Sequence, residues 1–196
     1  MLRAFRKNKD GMAAVEFALV LPVMLTIFFG VMEFSRALTA RAAVTTLTST
    51  VADLVAQEKN PTAGDMANVF DAAGKILYPF STANATITVY SIVDAGNKSA
   101  AGKVAWSCTK AGAAAAKTGP TSPPAGSKGG EMISLTNLDK DGNPAYGGAG
   151  SVILTEVAYS YTSPTMEVIT APIQMKNTYY AKPRNVAQVT KPSACS

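Results

Sequence analysis

No histidine occurs among the 196 residues, and only two cysteines do. The first absence removes every Ser-His and Cys-His nucleophile pair and every imidazole metal ligand, and with them much of hydrolase and zinc chemistry. Charge is sparse as well, at 16% of residues against 47% hydrophobic. A net charge of +5 raises nucleic acid as a partner, but the placement of the charges argues against it. Residues 1–41 hold six Lys/Arg against three Asp/Glu, and the rest of the chain holds twelve against ten without a basic cluster. Nucleic-acid binding needs a concentrated basic face. No Gly-rich phosphate cradle opens a helix, and no Gly-x-Ser-x-Gly elbow is present. Asp139-Lys140-Asp141-Gly142-Asn143 has the outline of a calcium loop. Pro144 takes the position that needs Gly, however, and Gly150 stands where the closing Glu belongs, so the segment reads as a turn. We therefore expect no metal, no cofactor, no small-molecule substrate and no enzyme. A catalyst would need a carboxylate or Ser-Lys centre, and no spacing argues for one.

What the chain does have is a long apolar run. Met12 to Met32 is 21 residues with one charge, Glu16, and one helix breaker, Pro22. As a helix it is about 31 Å long, enough to cross a hydrocarbon core of about 30 Å. Its uncharged part, Phe17 to Met32, reaches only about 24 Å, so Glu16 must lie near the headgroups or find a partner. No polar face interrupts the run, which argues against a buried core helix. Arg3, Arg6, Lys7 and Lys9 precede it, whereas Arg36 and Arg41 follow it closely. Such a bias keeps the N-terminus in the cytoplasm and exports residues 34–196. The expected location is thus the inner membrane, crossed once, with the C-terminal part in the periplasm or outside. Export suits the cysteines: Cys108 and Cys195 either close one disulfide in an oxidising compartment or remain two free thiols. Glu33 and Arg36, three residues apart, read as a solvated flank just outside the membrane.

Beyond the membrane Val44, Leu47, Val51 and Leu54 keep helical spacing, so the helix is expected to run on to about residue 58. Asn60-Pro61 ends it, and Asp65 is positioned to cap a second helix with Met66, Val69, Phe70, Ala73, Ile76 and Leu77 on one face. Ala85–Val93, Lys103–Cys108, Ser151–Tyr161 and Ile173–Tyr180 alternate or are rich in β-branched residues, and read as strands in two pairs. Trp106, Tyr159, Tyr161, Tyr179 and Tyr180 fall on those strands as packing residues. Thr109 to Gly130 is Ala, Gly, Pro, Ser and Lys, and reads as a flexible surface loop. The fold class is α+β: a long transmembrane and amphipathic N-terminal helix, then a small exported domain with a second helix and an antiparallel sheet of about four strands.

A conventional secretory signal would be cut at a small-x-small site after the apolar run. Ala40-Arg41-Ala42 has that form but lies eight residues beyond the apolar run, past Glu33, Arg36 and Arg41. Basic residues followed by Lys9-Asp10-Gly11 and at once by an apolar helix, with Glu16 fifth after Gly11, resemble the leader of type IV pilins. More closely, GMAAVEFALVLPVMLTIFFGVMEFSR resembles the N-terminal segment of TadE-like pseudopilins, minor subunits linked to tight-adherence (Flp-type) pili. Gly11, Ala14, Val15, Glu16, Phe17, Pro22, Gly30, Glu33 and Arg36 carry the likeness. Tyr179-Tyr180-Ala181-Lys182-Pro183-Arg184 is similar, more weakly, to the family's closing Pro-Arg segment.

The resemblance implies a structural subunit rather than an enzyme, acting in assembly of a Tad (Flp-type) pilus, in cell adhesion and in biofilm formation. Its implied partners are a prepilin peptidase, other pilin or pseudopilin subunits, and the inner membrane. The peptidase would cut between Gly11 and Met12 and leave the helix in place. The parts are then a cytoplasmic leader 1–11, a transmembrane helix 12–33, its amphipathic continuation 34–58, and an exported domain 59–196 containing the 109–130 loop. Glu16, Phe17 and Pro22 would serve assembly, with Glu16 pairing with the freed Met12 amine of a neighbouring subunit. Two plainer readings stand beside these: Glu16 as a first-turn carboxylate favoured by the helix dipole and hydrated by headgroups, and Pro22 as a simple bend. The alternative function is a membrane-anchored or pilus-tip adhesin binding a surface through the exported domain.

Overall fold

The computed structural model describes residues 11–96, 99–136, 141, 150–166 and 168–195. The leader apart from Gly11, and the calcium-like turn apart from Asp141 and Gly150, lie outside those residues. The first helix, α1, spans Met12–Gln57, and the second, α2, spans Ala63–Leu77. Strands β1 (Ala85–Val93), β2 (Lys103–Ala111) and β3 (Lys117–Thr118) follow, then helix α3 (Gly129–Thr136) and strands β4 (Ser151–Tyr161) and β5 (Ile173–Ala181). The strands form one sheet in the order β3-β2-β1-β4-β5, with β1 antiparallel to both β2 and β4. This is the expected α+β arrangement with an N-terminal apolar helix, with one short strand more than the sequence reading. The chain divides into two compact units: one takes α1 up to Thr39 together with Thr162–Ile173, the other takes Ala40–Tyr161 and Gln174–Ser196.

In the second unit the period-2 alternation of β1 sets two buried faces. Tyr90 and Ile92 lie opposite Leu154 and Val152 of β4, and Ile133 of α3 packs against them. Ile87, Val89 and Ser91 point the other way, opposite Val157, Thr155 and Ile153. On that side Ile87 shares a recess with Leu47 of α1 and with Phe70, Ala73 and Leu77 of α2. The buried stripe of α1 is Ala40, Val44, Leu47, Val51 and Val55, with Thr48 buried among them. Thr48 satisfies its hydroxyl on the Val44 carbonyl one turn back, at 2.6 Å. Burial also pushes up the phenols of Tyr90, where the Glu156 carboxylate adds to it, and of Tyr159.

Helix α2 starts earlier than Asp65 suggests. Thr62 is its N-cap: the Thr62 hydroxyl accepts from the Asp65 N–H at 3.2 Å, and Asp65 Oδ2 accepts from the Thr62 N–H at 2.8 Å. Asp65 is therefore the third helical residue of a capping box rather than the cap itself. Hydrogen bonds from the Thr62 backbone and hydroxyl hold its carboxyl below the ordinary carboxylate value. Ile76, expected on the buried face, is only half-buried.

Residues 109–130 also depart from the loop expectation. Residues 109–111 extend β2, and Lys117–Thr118 pair with Cys108 and Thr109 as β3. The chain then crosses β2 so closely that a Cβ on Gly119 would stand 2.6 Å from Thr109 Oγ1, and the Ser107 hydroxyl donates to the Pro120 carbonyl at 2.6 Å. Small residues, which read as too poor in bulk to fold, are what allow this approach. The same holds where α3 begins. Gly130 donates to Ala100 O at 2.9 Å, and a Cβ there would lie 2.0 Å from Ser99 O.

Candidate assembly interface

In the first unit the helix begins at Met12, whose preceding residue Gly11 accepts the first helical hydrogen bond, from Val15 N at 3.2 Å. Gly11 is exposed, and nothing stands within 4 Å of where its Cβ would be. Glu16 follows Met12 by four residues, one turn on, so the two share a helix face. Both are exposed, as is Phe17. Pro22 lies inside the helix. It has no N–H, so the carbonyl of Ala18 loses its usual donor. Thr26 donates its hydroxyl to the Pro22 carbonyl at 2.9 Å, a local bond that suits a helix in a medium without water.

Among the described residues the apolar run finds little cover: Phe29, Gly30 and Met32 are half-buried and the rest of it is exposed. Its most apolar eighteen residues have none buried, and Val15, Phe17, Leu19, Val23, Ile27, Phe28 and Val31 all present large side chains outward. So much continuous apolar surface requires lipid or other helices. One long apolar N-terminal helix of this kind is compatible with a single-pass membrane anchor.

Glu33 overturns the solvated-flank expectation. It is 2% exposed, whereas Arg36 stays exposed. Thr165 donates its hydroxyl to Glu33 Oε1, and the backbone N–H groups of Val168 and Ile169 donate to Oε2 at 3.2 and 2.6 Å. Three donors offset the desolvation of a buried carboxylate. Sequence reasoning missed Thr165, Val168 and Ile169 because they stand 132 to 136 positions away. One signal existed: Glu33 extends the 3- and 4-residue spacing of the buried stripe, through Ala37 to Ala40 and Val44.

In the second unit the chain's end folds onto β2 and the end of α1. Cys108 and Cys195 are joined in a disulfide with an S–S distance of 2.01 Å. Trp106 Nε1 donates to the Val189 carbonyl at 2.8 Å, and the Thr118 hydroxyl donates to the Cys195 carbonyl at 2.7 Å. Arg184 N donates to Ala56 O at 3.0 Å, Asn185 Nδ2 to Gln57 O at 2.8 Å and Thr190 N to Lys59 O at 3.2 Å. The last carbonyls of a helix lack intrahelical donors, and Arg184 N and Asn185 Nδ2 supply two of them here, while Thr190 N serves Lys59 just beyond the helix. Among the described residues no cluster of acidic side chains and cysteines is placed to hold a metal ion.

A family model described as TadE-like protein matches residues 11–53, from the residue before α1 to the aspartate four positions short of its end. No curated protein and no solved structure matches the chain.

Proposed function

We propose, from the TadE-like segment at residues 11–53, that this chain is a pseudopilin: a minor structural subunit for assembly of a Tad (Flp-type) pilus. A prepilin peptidase cuts it after Gly11, and the retained helix anchors it in the inner membrane with residues 34–196 outside the cytoplasm. The observation that carries this reading is a helix whose apolar first part, residues 12–28, is exposed, beginning immediately after an exposed glycine, with an exposed glutamate at its fifth residue. Glycine is a poor helix former and leaves the backbone open to a peptidase at the membrane face. In a bundle of such helices Glu16 neutralises the new Met12 amine of a neighbour, sparing both charges an apolar surrounding. Cleavage leaves 185 residues (196 less 11) and removes four basic residues and Asp10, so the net charge falls from +5 to +2. The basic excess is then mostly an orientation signal.

Mass spectrometry of the mature N-terminus in cells bearing the peptidase tests this. The expected species begins at Met12. An intact leader, or a terminus near Ala42, overturns the pseudopilin reading.

A further inference from the structure

Opposite residues of an antiparallel pair share a face. Val89 lies opposite Cys108 and Ser91 opposite Trp106, so these two β2 side chains stand on the sheet face that also carries Ile87. Both are buried, Cys108 at 0% and Trp106 at 5% exposure. Residues 184–195 reach across to them. The Val189 carbonyl accepts from the Trp106 indole, the Ala187 carbonyl accepts from the Ser151 hydroxyl at 2.9 Å, and the turn Ser193–Cys195 sits against α2, β2 and β3.

This strap has little of its own to hold it down. It contains no strand, and its one helical turn is three residues long. Val189, Pro192 and Cys195 are buried, Val186 and Ala194 are half-buried, and the other seven residues from 184 to 195 are exposed. So little apolar anchorage does not offset the entropy of fixing the segment, and its hydrogen bonds at exposed sites exchange readily with water. Such segments open at far lower cost than the strands beneath them. The Cys108–Cys195 bond shifts that balance, because it pins the far end of the strap and removes most of its open conformations.

We propose that residues 184–195 are a redox latch: the strap is undocked while Cys108 and Cys195 are thiols, and it docks when they are joined. The oxidant is a disulfide, of a protein or of a small molecule. One cysteine thiolate attacks it and displaces a first thiol. The other cysteine then attacks the mixed disulfide and displaces the second, so two electrons and two protons pass to the oxidant as the S–S bond forms. Undocking uncovers the Trp106 ring and takes the Arg184 and Asn185 donors away from the end of α1. In the closed chain both cysteines are 0% exposed, so a reductant reaches neither sulfur until the strap lifts. The latch depends on the disulfide alone and holds whether or not the chain is a pilus subunit.

Trp106 is the one tryptophan of the chain, so its fluorescence reports the strap. The full chain in lipid nanodiscs is compared with its Cys108→Ala, Cys195→Ala double variant. With the bond intact, Trp106 is expected to emit in the blue and to resist acrylamide. In the double variant its emission is expected to move to the red, and amide exchange at Arg184 and Thr190, whose N–H groups donate to Ala56 and Lys59, to rise at least about tenfold. The β1 amides should stay protected, and circular dichroism should keep the sheet. Reduction of the bonded chain by dithiothreitol is expected to produce the same open state, and oxidised glutathione to reverse it. A double variant that keeps Trp106 and both amides protected shows a strap that docks without the bond, which overturns the latch. Loss of the sheet in that variant overturns it equally, since the bond then holds the whole unit. A reduced chain whose thiols label while Trp106 stays buried, or an opened chain that oxidised glutathione does not reclose, also overturns it.

Discussion

Arg184 Nη2 donates to Asp53 Oδ1 at 2.5 Å across 131 positions of sequence, while the other oxygen of the same carboxylate accepts from Gln57 Nε2 at 2.7 Å. The pair ties the chain's Pro-Arg segment to the last turns of α1, where Arg184 N and Asn185 Nδ2 also donate to the helix's final carbonyls. Both side chains are well exposed, at 62% and 42%. The ion pair is therefore a locating contact more than a source of stability.

Arg184→Ala is accordingly expected to cost only about 0.2 to 1 kcal/mol, the range for exposed pairs, in chemical denaturation. Truncation after Pro183 removes the backbone donors and Cys195 together and is expected to fray the end of α1. Equal losses from the two changes would show that the ion pair, not the capping, holds the segment.

The disulfide spans 87 positions. Chain entropy puts the stabilisation from closing such a loop at about 4 to 5 kcal/mol. Replacing both cysteines by Ala should lower the denaturation midpoint of the unit that holds them, and two thiols should label only after reduction. Two reactive thiols in the native protein would refute the bond.

Glu16 is exposed, as are its neighbours in the first turns of the helix, so its proposed work is between subunits. Glu16→Ala should leave membrane insertion unchanged and reduce incorporation into pili, measured by sheared-fibre recovery. Undiminished incorporation would favour the plainer reading, a carboxylate held by the helix dipole and headgroups.

Tyr90 and Tyr159 have phenols raised above their ordinary value of 10 by burial. The folded state then holds the proton more tightly than the unfolded chain. Stability is intact below about pH 10 and falls as pH climbs through the folded values. Alkaline unfolding followed by circular dichroism should coincide with their phenolate absorbance, and Tyr90→Phe should move that transition to higher pH. Ionisation of both tyrosines well before any loss of structure would contradict this.

Thr62→Ala removes the side-chain cap of α2 and should cost about 1 kcal/mol. Because the Asp65 carboxyl is held low by the same box, stability from it is present above the ordinary value of 3.8 and lost as pH falls through the folded value. In Thr62→Ala that acid-side dependence should shrink. An unchanged acid limb would mean that the Thr62 N–H alone, which Ala keeps, holds Asp65 low.

Local patterning was readable to within a residue or two where one period ran long enough. The helix expected to about residue 58 ends at Gln57, and β1 and β4 have the expected bounds. It failed where small residues carry no period: Lys117–Thr118 is a strand because β2 offers it an edge, and Gly119 fits because it has no side chain. It also misjudged Glu33, whose charge signals water unless partners are known.

By itself the sequence determined the class of the molecule: an apolar helix without a polar face, followed by alternating strands, dictates an α+β chain with a long apolar N-terminal helix. Those properties depend on neighbours one to four residues apart. Only the tertiary structure decided that β1 lies between β2 and β4, that Arg184 and Asn185 finish α1, and that Glu33 serves the backbone of Val168 and Ile169. Each of these pairs a donor with an acceptor far along the chain, and such a pairing leaves no period in the sequence because any exposed carbonyl or carboxylate could have received it.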